Sequence, residues 1–306
     1  MNATRQLVRE LAVNAGYEPD SAILRLEYGS FVSQKHRYCF VETPKAASTS
    51  FKRLLIDIEG AKYRSDLLPY MRETRKDMLV HQRKYVDIPT LLDLHPSEAR
   101  QFFEGRSGWF VFAVSRNPYS RVVSMFNDKV RFGEPGYREL QRRYGDTSSY
   151  GGLKHAFQAF VVEYVAEKDN RDGNPHLQLQ SALLMPSLIP YTRIYKLNEA
   201  SGAMHDFLRH LREVGNDGQP DNLTLPELNR NLTFDWRGFY CDSSASVIAQ
   251  CYSEDFVAFG YDPDDWRGAE DLVIEESAAD ARWLREVVAR NEFIDSIFDL
   301  LNPFRR

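Results

Sequence analysis

The chain predicts an α/β fold with a mainly parallel sheet flanked by helices, and three observations carry that prediction. Two short apolar, β-prone runs, "YCFV" from Tyr38 and "WFVFAV" from Trp109, each lead through a turn into a helix-like segment. The second run holds six consecutive apolar residues, which implies burial on both faces, as in the centre of a parallel sheet. Strand, anion-type turn, helix and a further buried strand, in that order, build a parallel sheet through crossovers.

Each element follows from its local pattern. "MNATRQLVRELAVNAG" mixes charges into its apolar residues and reads as an amphipathic helix. Residues 38–43 read as a buried strand that ends at Pro44. Residues 48–59 read as the following helix, with Ser48 or Thr49 as N-cap and Leu54, Leu55 and Ile58 on its apolar face. Residues 60–95 are charged and irregular. "HPSEARQFFEG" predicts a short helix, capped by Ser97 and stopped at Gly105. After the strand in "GWFVFAVSR", "NPYSRVVSMFNDKVRF" continues as a helix with Pro118 in its first turn. Residues 133–152 read as a surface loop. "LKHAFQAFVVEYVAEKD" is an amphipathic helix with Phe157, Phe160, Val161 and Tyr164 on one face. "TRIYKLNE" is a short strand leading into the helix "ASGAMHDFLRHLREVG". Residues 215–240 are loop-like, and two helices close the chain.

Composition excludes several function classes. The 306 residues are 43% hydrophobic and 27% charged, which is ordinary for a chain with a sizeable core. A net charge of −5 argues against a general nucleic-acid binder, so any polyanion site must be local. Three cysteines, Cys39, Cys241 and Cys251, without metal-ligand spacing fit a reduced compartment and no structural zinc. No run approaches the ~20 apolar residues of a membrane span, and the N-terminus lacks an apolar core of signal-peptide length. A cytoplasmic protein with no membrane segment is expected. The Asn-x-Thr sequons at Asn2, Asn222 and Asn231 then read as chance matches.

The chemistry concentrates in "PKAASTSFKRLL", from Pro44. A turn entering a helix exposes amides that have no helical partner, and the helix dipole adds positive potential there. Ala46, Ala47 and Ser48 are small enough for an anion to approach the backbone. Ser48, Thr49 and Ser50 offer hydroxyl donors, and Lys45 a full charge. The function is P-loop-like, yet both glycines of G-x-x-x-x-G-K-[ST] are missing and the lysine precedes the small residues. Arg116 leaves the second strand, and on the next helix Arg121 and Ser124 share a face. Arg116, Arg121 and Ser124 are therefore candidates to converge on a second phosphate, for which arginine's planar fork is suited. In open parallel sheets ligands bind at the carboxyl ends of the strands, where both motifs lie. Lys52 and Arg53 read as a solvated helix face.

These residues resemble a known family. "PKAASTSF" is similar to the 5′-phosphosulfate loop of sulfotransferases, roughly P-K-x-x-[CGS]-T-[ST]-x. "FVFAVSRNPYSRVVSMFNDKV" resembles their 3′-phosphate motif, roughly F-x-F-V-R-[DEN]-P-[FY]-x-R-[LV]-V-S-x-[YF]-x-x-K. "NPHLQLQSALL" is similar to a His-x-x-x-Gln element of the carbohydrate O-sulfotransferase branch, and "YSEDFVAFGYD" to its terminal D-F-x-x-F-G-Y. Ser115 stands where valine is usual, Asn117 where Asp or Glu often stands, and Ser48 for a common Cys or Gly.

The resemblance implies a P-loop-NTPase-like sulfotransferase domain over residues 38–263. An N-terminal helical extension (1–37) would precede it, and a C-terminal helical extension (264–306) would pack on the same domain. It implies a soluble, bacterial-type member using 3′-phosphoadenosine 5′-phosphosulfate, without a metal, and releasing 3′,5′-adenosine bisphosphate. The acceptor would be a carbohydrate or small metabolite. Lys45 would meet the oxygen bridging sulfur and the 5′-phosphate; Ser48, Thr49 and Ser50 would hold that phosphate. Arg116, Ser124 and Arg121 would hold the 3′-phosphate. His81, between the two donor motifs, is the first candidate for general base, with His176 second, as base or acceptor ligand; a carboxylate is the further option. Loops 60–95, 133–152 and 215–240 would shape the acceptor pocket. Two other classes share these features: a nucleotide-dependent kinase or hydrolase, which needs a magnesium carboxylate, and a non-catalytic nucleotide-binding module of the same fold.

Overall fold

The computed structural model describes residues 3–60, 88–134, 136–145, 152–215, 225, 235–269, 282 and 284–293. In chain order the main elements are α1 (Ala3–Asn14), α2 (Pro19–Gly29), β1 (Ser30–Ser33), β2 (Tyr38–Val41), α3 (Ser48–Glu59), α4 (Pro96–Phe103), β3 (Phe110–Ser115) and α5 (Pro118–Met125). There follow α6 (Leu153–Phe160), α7 (Lys168–Asp172), α8 (Gln180–Leu184), β4 (Arg193–Lys196), α9 (Ala200–Glu213), α10 (Asp242–Cys251) and α11 (Ser253–Phe259). The chain divides into two compact units, residues 1–116 with 180–229, and residues 117–179 with 230–306. Among the described residues no helix is long and apolar enough to cross a membrane.

The first unit holds a four-stranded sheet in the order β1-β2-β3-β4. β2, β3 and β4 run parallel, with Val41 opposite Ala113 and Ser115 opposite Lys196. β1 pairs antiparallel with β2, so the sheet is mixed and mainly parallel, as expected. β1 itself has no counterpart in the sequence reading. "SFVS" is too short to show alternation, and it becomes a strand by folding back on β2 through residues 34–37. On one sheet face Phe40 meets Phe51 of α3 and Phe112 of β3, with ring centroids 5.2 and 5.1 Å apart. Phe112 in turn meets Phe207 of α9 at 5.2 Å. Five residues of the apolar run, Phe110 to Val114, thus form a central strand with Ser115, buried throughout.

Local chemistry explains the helix ends. α3 begins at Ser48, but its N-cap is Ala47 rather than Ser48 or Thr49. α4 is capped by His95, whose ring nitrogen accepts from the Ser97 amide, and not by Ser97. Pro96 accounts for this, because it occupies the first helical position and so puts the cap at His95, two residues before Ser97.

The second unit is helical. α5 and α6 each continue into a wider π-type turn, over Phe126–Arg131 and Val161–Val165. The segment expected as a loop from 133 to 152 contains helical turns over Arg138–Leu140 and Gln141–Gly145, where Tyr144 is buried in the unit's core. Tyr119, Phe126, Phe157, Phe160 and Tyr240 belong to that core, and the Tyr240 hydroxyl donates to the Tyr119 carbonyl at 2.8 Å.

Candidate functional site

β2 ends at Val41 and α3 begins at Ser48, so residues 42–47 form the turn between them. Two residues of this turn lie in the left-handed region, Lys45 at φ 69° and Ala47 at φ 56°. That conformation disfavours L-residues by about 1–2 kcal/mol each. The missing glycines therefore do not mean a different shape: an alanine and a lysine hold positive φ values of the kind glycine adopts freely. Ala47, the N-cap of α3, offers no capping oxygen. A serine or threonine at that position would take one of the amides with its own oxygen. Ala46 turns into the core of the unit and is fully buried, while Ser48 and Ser50 are 7% exposed.

Two interactions hold the turn from within the same unit. Thr43 accepts from the Ala46 amide at 3.2 Å. Arg116, one residue beyond β3, donates from Nη1 to the Lys45 carbonyl at 2.9 Å. The turn and the arginine leave adjacent parallel strands at their carboxyl ends, so Lys45, Ala46, Ala47, Ser48, Thr49, Ser50 and Arg116 are gathered in one place. Arg116 is also held by its main chain. Its amide donates to Gln180 Oε1 at 2.8 Å, and its carbonyl accepts from Gln180 Nε2 at 2.8 Å.

Beneath the turn lies an ion cluster. Lys52 pairs with Glu42, and the two side chains are 1% and 2% exposed. Arg25 Nη1 lies 3.9 Å from the Glu42 carboxylate, and Arg25 Nε donates to the Leu183 carbonyl at 2.8 Å. The Lys52 ammonium also sits 5.7 Å from the centre of the Phe31 ring. Lys52 is thus a buried strut and not the solvated residue expected; its partner arrives from the end of β2, outside the helix on which the reading was based. Arg53, beside it, is on the surface as expected, with an i,i+4 contact of 3.8 Å to Asp57.

Arg121, Ser124 and His176 belong to the second unit. Asn117 caps α5 by accepting from the Tyr119 amide at 3.0 Å. One turn on, Arg121 is 1% exposed. Its Nη1 donates to the Gln178 carbonyl at 2.6 Å and its Nη2 to the Pro175 carbonyl at 3.2 Å. Those carbonyls flank His176. The Tyr252 hydroxyl donates to the Leu177 carbonyl at 2.7 Å, and the His176 amide donates to Asn174 Oδ1 at 3.0 Å. Tyr137 donates to the same Asn174 oxygen at 3.2 Å, with its ring 6.1 Å from the imidazole, edge to face. Burial pushes the Tyr137 phenol well above its ordinary range, so it stays a donor. The loop carrying His176 is therefore held at several successive residues. Ser124 is half-buried on the same helix as Arg121. His81 lies outside the described residues.

Reading the sequence did not single out Glu42 or Arg25, and it gave Gln180 no role beyond its place in a motif. For Gln180 the only signal is its place four residues after His176, at the end of the His-x-x-x-Gln element. For Glu42 and Arg25 there is none, because their partnership joins α2, β2 and α3 across the fold.

The model of the Sulfotransferase family matches residues 28–262. Among curated relatives, the chain is 31% identical to zebrafish (Danio rerio) carbohydrate sulfotransferase 10 over 163 residues, 49% of this chain and 40% of the relative. It is 30% identical to the rat (Rattus norvegicus) protein of that name over 260 residues, 77% of this chain and 67% of the relative. Zebrafish carbohydrate sulfotransferase 14 is 23% identical over 245 residues, 75% of this chain and 61% of the relative. The chain spans less than half the length of the first of these relatives. All three are vertebrate proteins and lend no support to the expected bacterial type. No solved structure matches the chain.

Proposed function

The chain belongs to the sulfotransferase family, and from that premise we propose that it transfers a sulfuryl group from 3′-phosphoadenosine 5′-phosphosulfate to a hydroxyl of a saccharide. The observation that carries the reading is the pairing of the left-handed Lys45–Ala47 turn with Arg116 across adjacent strand ends. The first-turn amides of α3 and the hydroxyls of Ser48, Thr49 and Ser50 suit a 5′-phosphate. The residues fit the donor on this ground: the turn has the backbone shape of an anion cradle, and its N-cap, Ala47, carries no side-chain oxygen.

In this reading the donor supplies an activated S–O bond, and transfer needs positioning and charge stabilisation above all. Lys45 neutralises charge on the 5′-phosphate side as that bond breaks. Arg116 holds the 3′-phosphate, and Ser124 is assigned to the same phosphate from the motif alone. One of the five guanidinium N–H groups of Arg116 is given to the Lys45 carbonyl, which fixes the plane of the fork. Arg121 has terminal nitrogens engaged by the loop around His176, and we assign it to holding that loop. His81 takes the acceptor's proton, with His176 as the second base candidate or an acceptor ligand. The saccharide acceptor rests on the names of the relatives, which are carbohydrate sulfotransferases.

Labelled donor offered with a panel of saccharides tests the reaction. Substitution then separates the roles: Lys45→Ala lowers kcat with little change in donor affinity, whereas Arg116→Ala weakens donor binding. An Arg116→Ala protein with unchanged donor affinity contradicts the assignment.

A further inference from the structure

We propose that Gln180 is a positioning residue for Arg116, and through it sets the recognition of the donor's 3′-phosphate. This rests on the donor reading above. Arg116 lies one residue beyond the paired register of β3 and β4, which closes at Ser115 and Lys196. A main-chain amide and carbonyl leaving a sheet need partners when buried. The carboxamide of Gln180 supplies both at once, accepting from the Arg116 amide and donating to its carbonyl, each at 2.8 Å. A side-chain amide carries the same donor and acceptor as a peptide group, so Gln180 extends the ladder by one residue.

The position of Gln180 makes this an anchor. It is 0% exposed, at the first position of α8. Arg25 ties the other end of α8 by donating to the Leu183 carbonyl, and Arg25 also lies against Glu42 at the end of β2. Polar links therefore run from Gln180 to Arg116, from Arg116 to the Lys45 carbonyl, and from α8 through Arg25 back to the strand that feeds the donor turn. Arginine reads a phosphate through a planar fork at the end of a long side chain. A small rotation of the main chain at residue 116 is amplified at that fork. Gln180 prevents the rotation without touching the ligand.

The test compares two ligands on the full chain by calorimetry, 3′,5′-adenosine bisphosphate and adenosine 5′-monophosphate. Their affinity ratio isolates the contribution of the 3′-phosphate. Gln180→Met removes both hydrogen bonds at similar length. Gln180→Asn keeps an amide but is one methylene too short, and covers the case in which the apolar variant fails to fold. The ratio is expected to fall about tenfold to a hundredfold in the folded variants, as for a misplaced binding group, while affinity for the 5′-monophosphate stays the same. A folded variant that keeps the wild-type ratio overturns the proposal, as does one that loses affinity for both ligands equally. A wild-type chain that binds neither ligand overturns the donor reading, and this inference with it. A wild-type preference for the bisphosphate that survives both substitutions removes only the role of Gln180.

Discussion

Replacing Lys52 by methionine takes the cation out of a pair whose side chains are 1% and 2% exposed. Methionine keeps the length of the stem, so the change is mainly electrostatic. Removing one partner of a buried ion pair destabilises a protein by about 3–5 kcal/mol, because the other charge is left without compensation. Here Glu42 keeps Arg25 at 3.9 Å, which places the expected loss near the lower end, about 3 kcal/mol. The neighbouring Arg53→Met is the internal control. Its contact with Asp57 is 3.8 Å long between side chains that are 27% and 66% exposed, and such an exposed pair contributes about 0.3–0.5 kcal/mol. Two adjacent basic residues should thus differ in effect by several-fold. Native-state hydrogen exchange at the β2 amides is the suitable assay, since it reads the opening of the first unit separately from the rest of the chain. A loss below ~1 kcal/mol for Lys52→Met, or equal effects for the two variants, would refute the assignment of Lys52 as a buried strut.

Ala47→Gly should raise stability by about 0.5–1 kcal/mol, since relief of the left-handed strain exceeds the extra chain entropy of glycine; a denaturation midpoint unchanged or lowered would count against the strained turn. Stability should also fall on mild acidification. Burial holds the His36 imidazole below its ordinary 6.5, with Glu59 opposing and Lys35 and His210 reinforcing the effect. The unfolded chain then takes up the proton first, so this contribution is complete above pH 6.5 and is lost as the pH drops from there through the depressed folded value. Denaturation midpoints between those limits should show this slope in the wild type and a shallower one in His36→Leu.

What could be read from the sequence was whatever is encoded locally. β3 was legible because six apolar residues in a row leave no solvent face, and α3 because its apolar positions repeat with helical period. The donor turn was legible as chemistry but not as conformation. Residue types suggested a serine or threonine cap, whereas the N-cap is Ala47, set at a positive φ. Lys52 was misread because a lysine on a short helix is usually solvated, and nothing in "FKRLL" announces a glutamate ten residues upstream. Gln180 was legible only as the end of the His-x-x-x-Gln element; its role was not, because its partner is the main chain of Arg116. Arg121 shows a motif residue with partners that its spacing does not announce. The spacing places it beside Ser124, yet its nitrogens point to the carbonyls around His176.

Titration of the wild-type chain with 3′,5′-adenosine bisphosphate in the presence of a magnesium chelator tests the central claim most directly. Saturable binding of one bisphosphate per chain, retained without magnesium and weakened in Arg116→Ala, is the predicted result. Absence of saturable binding by the folded protein, or binding that disappears when magnesium is removed, would contradict it.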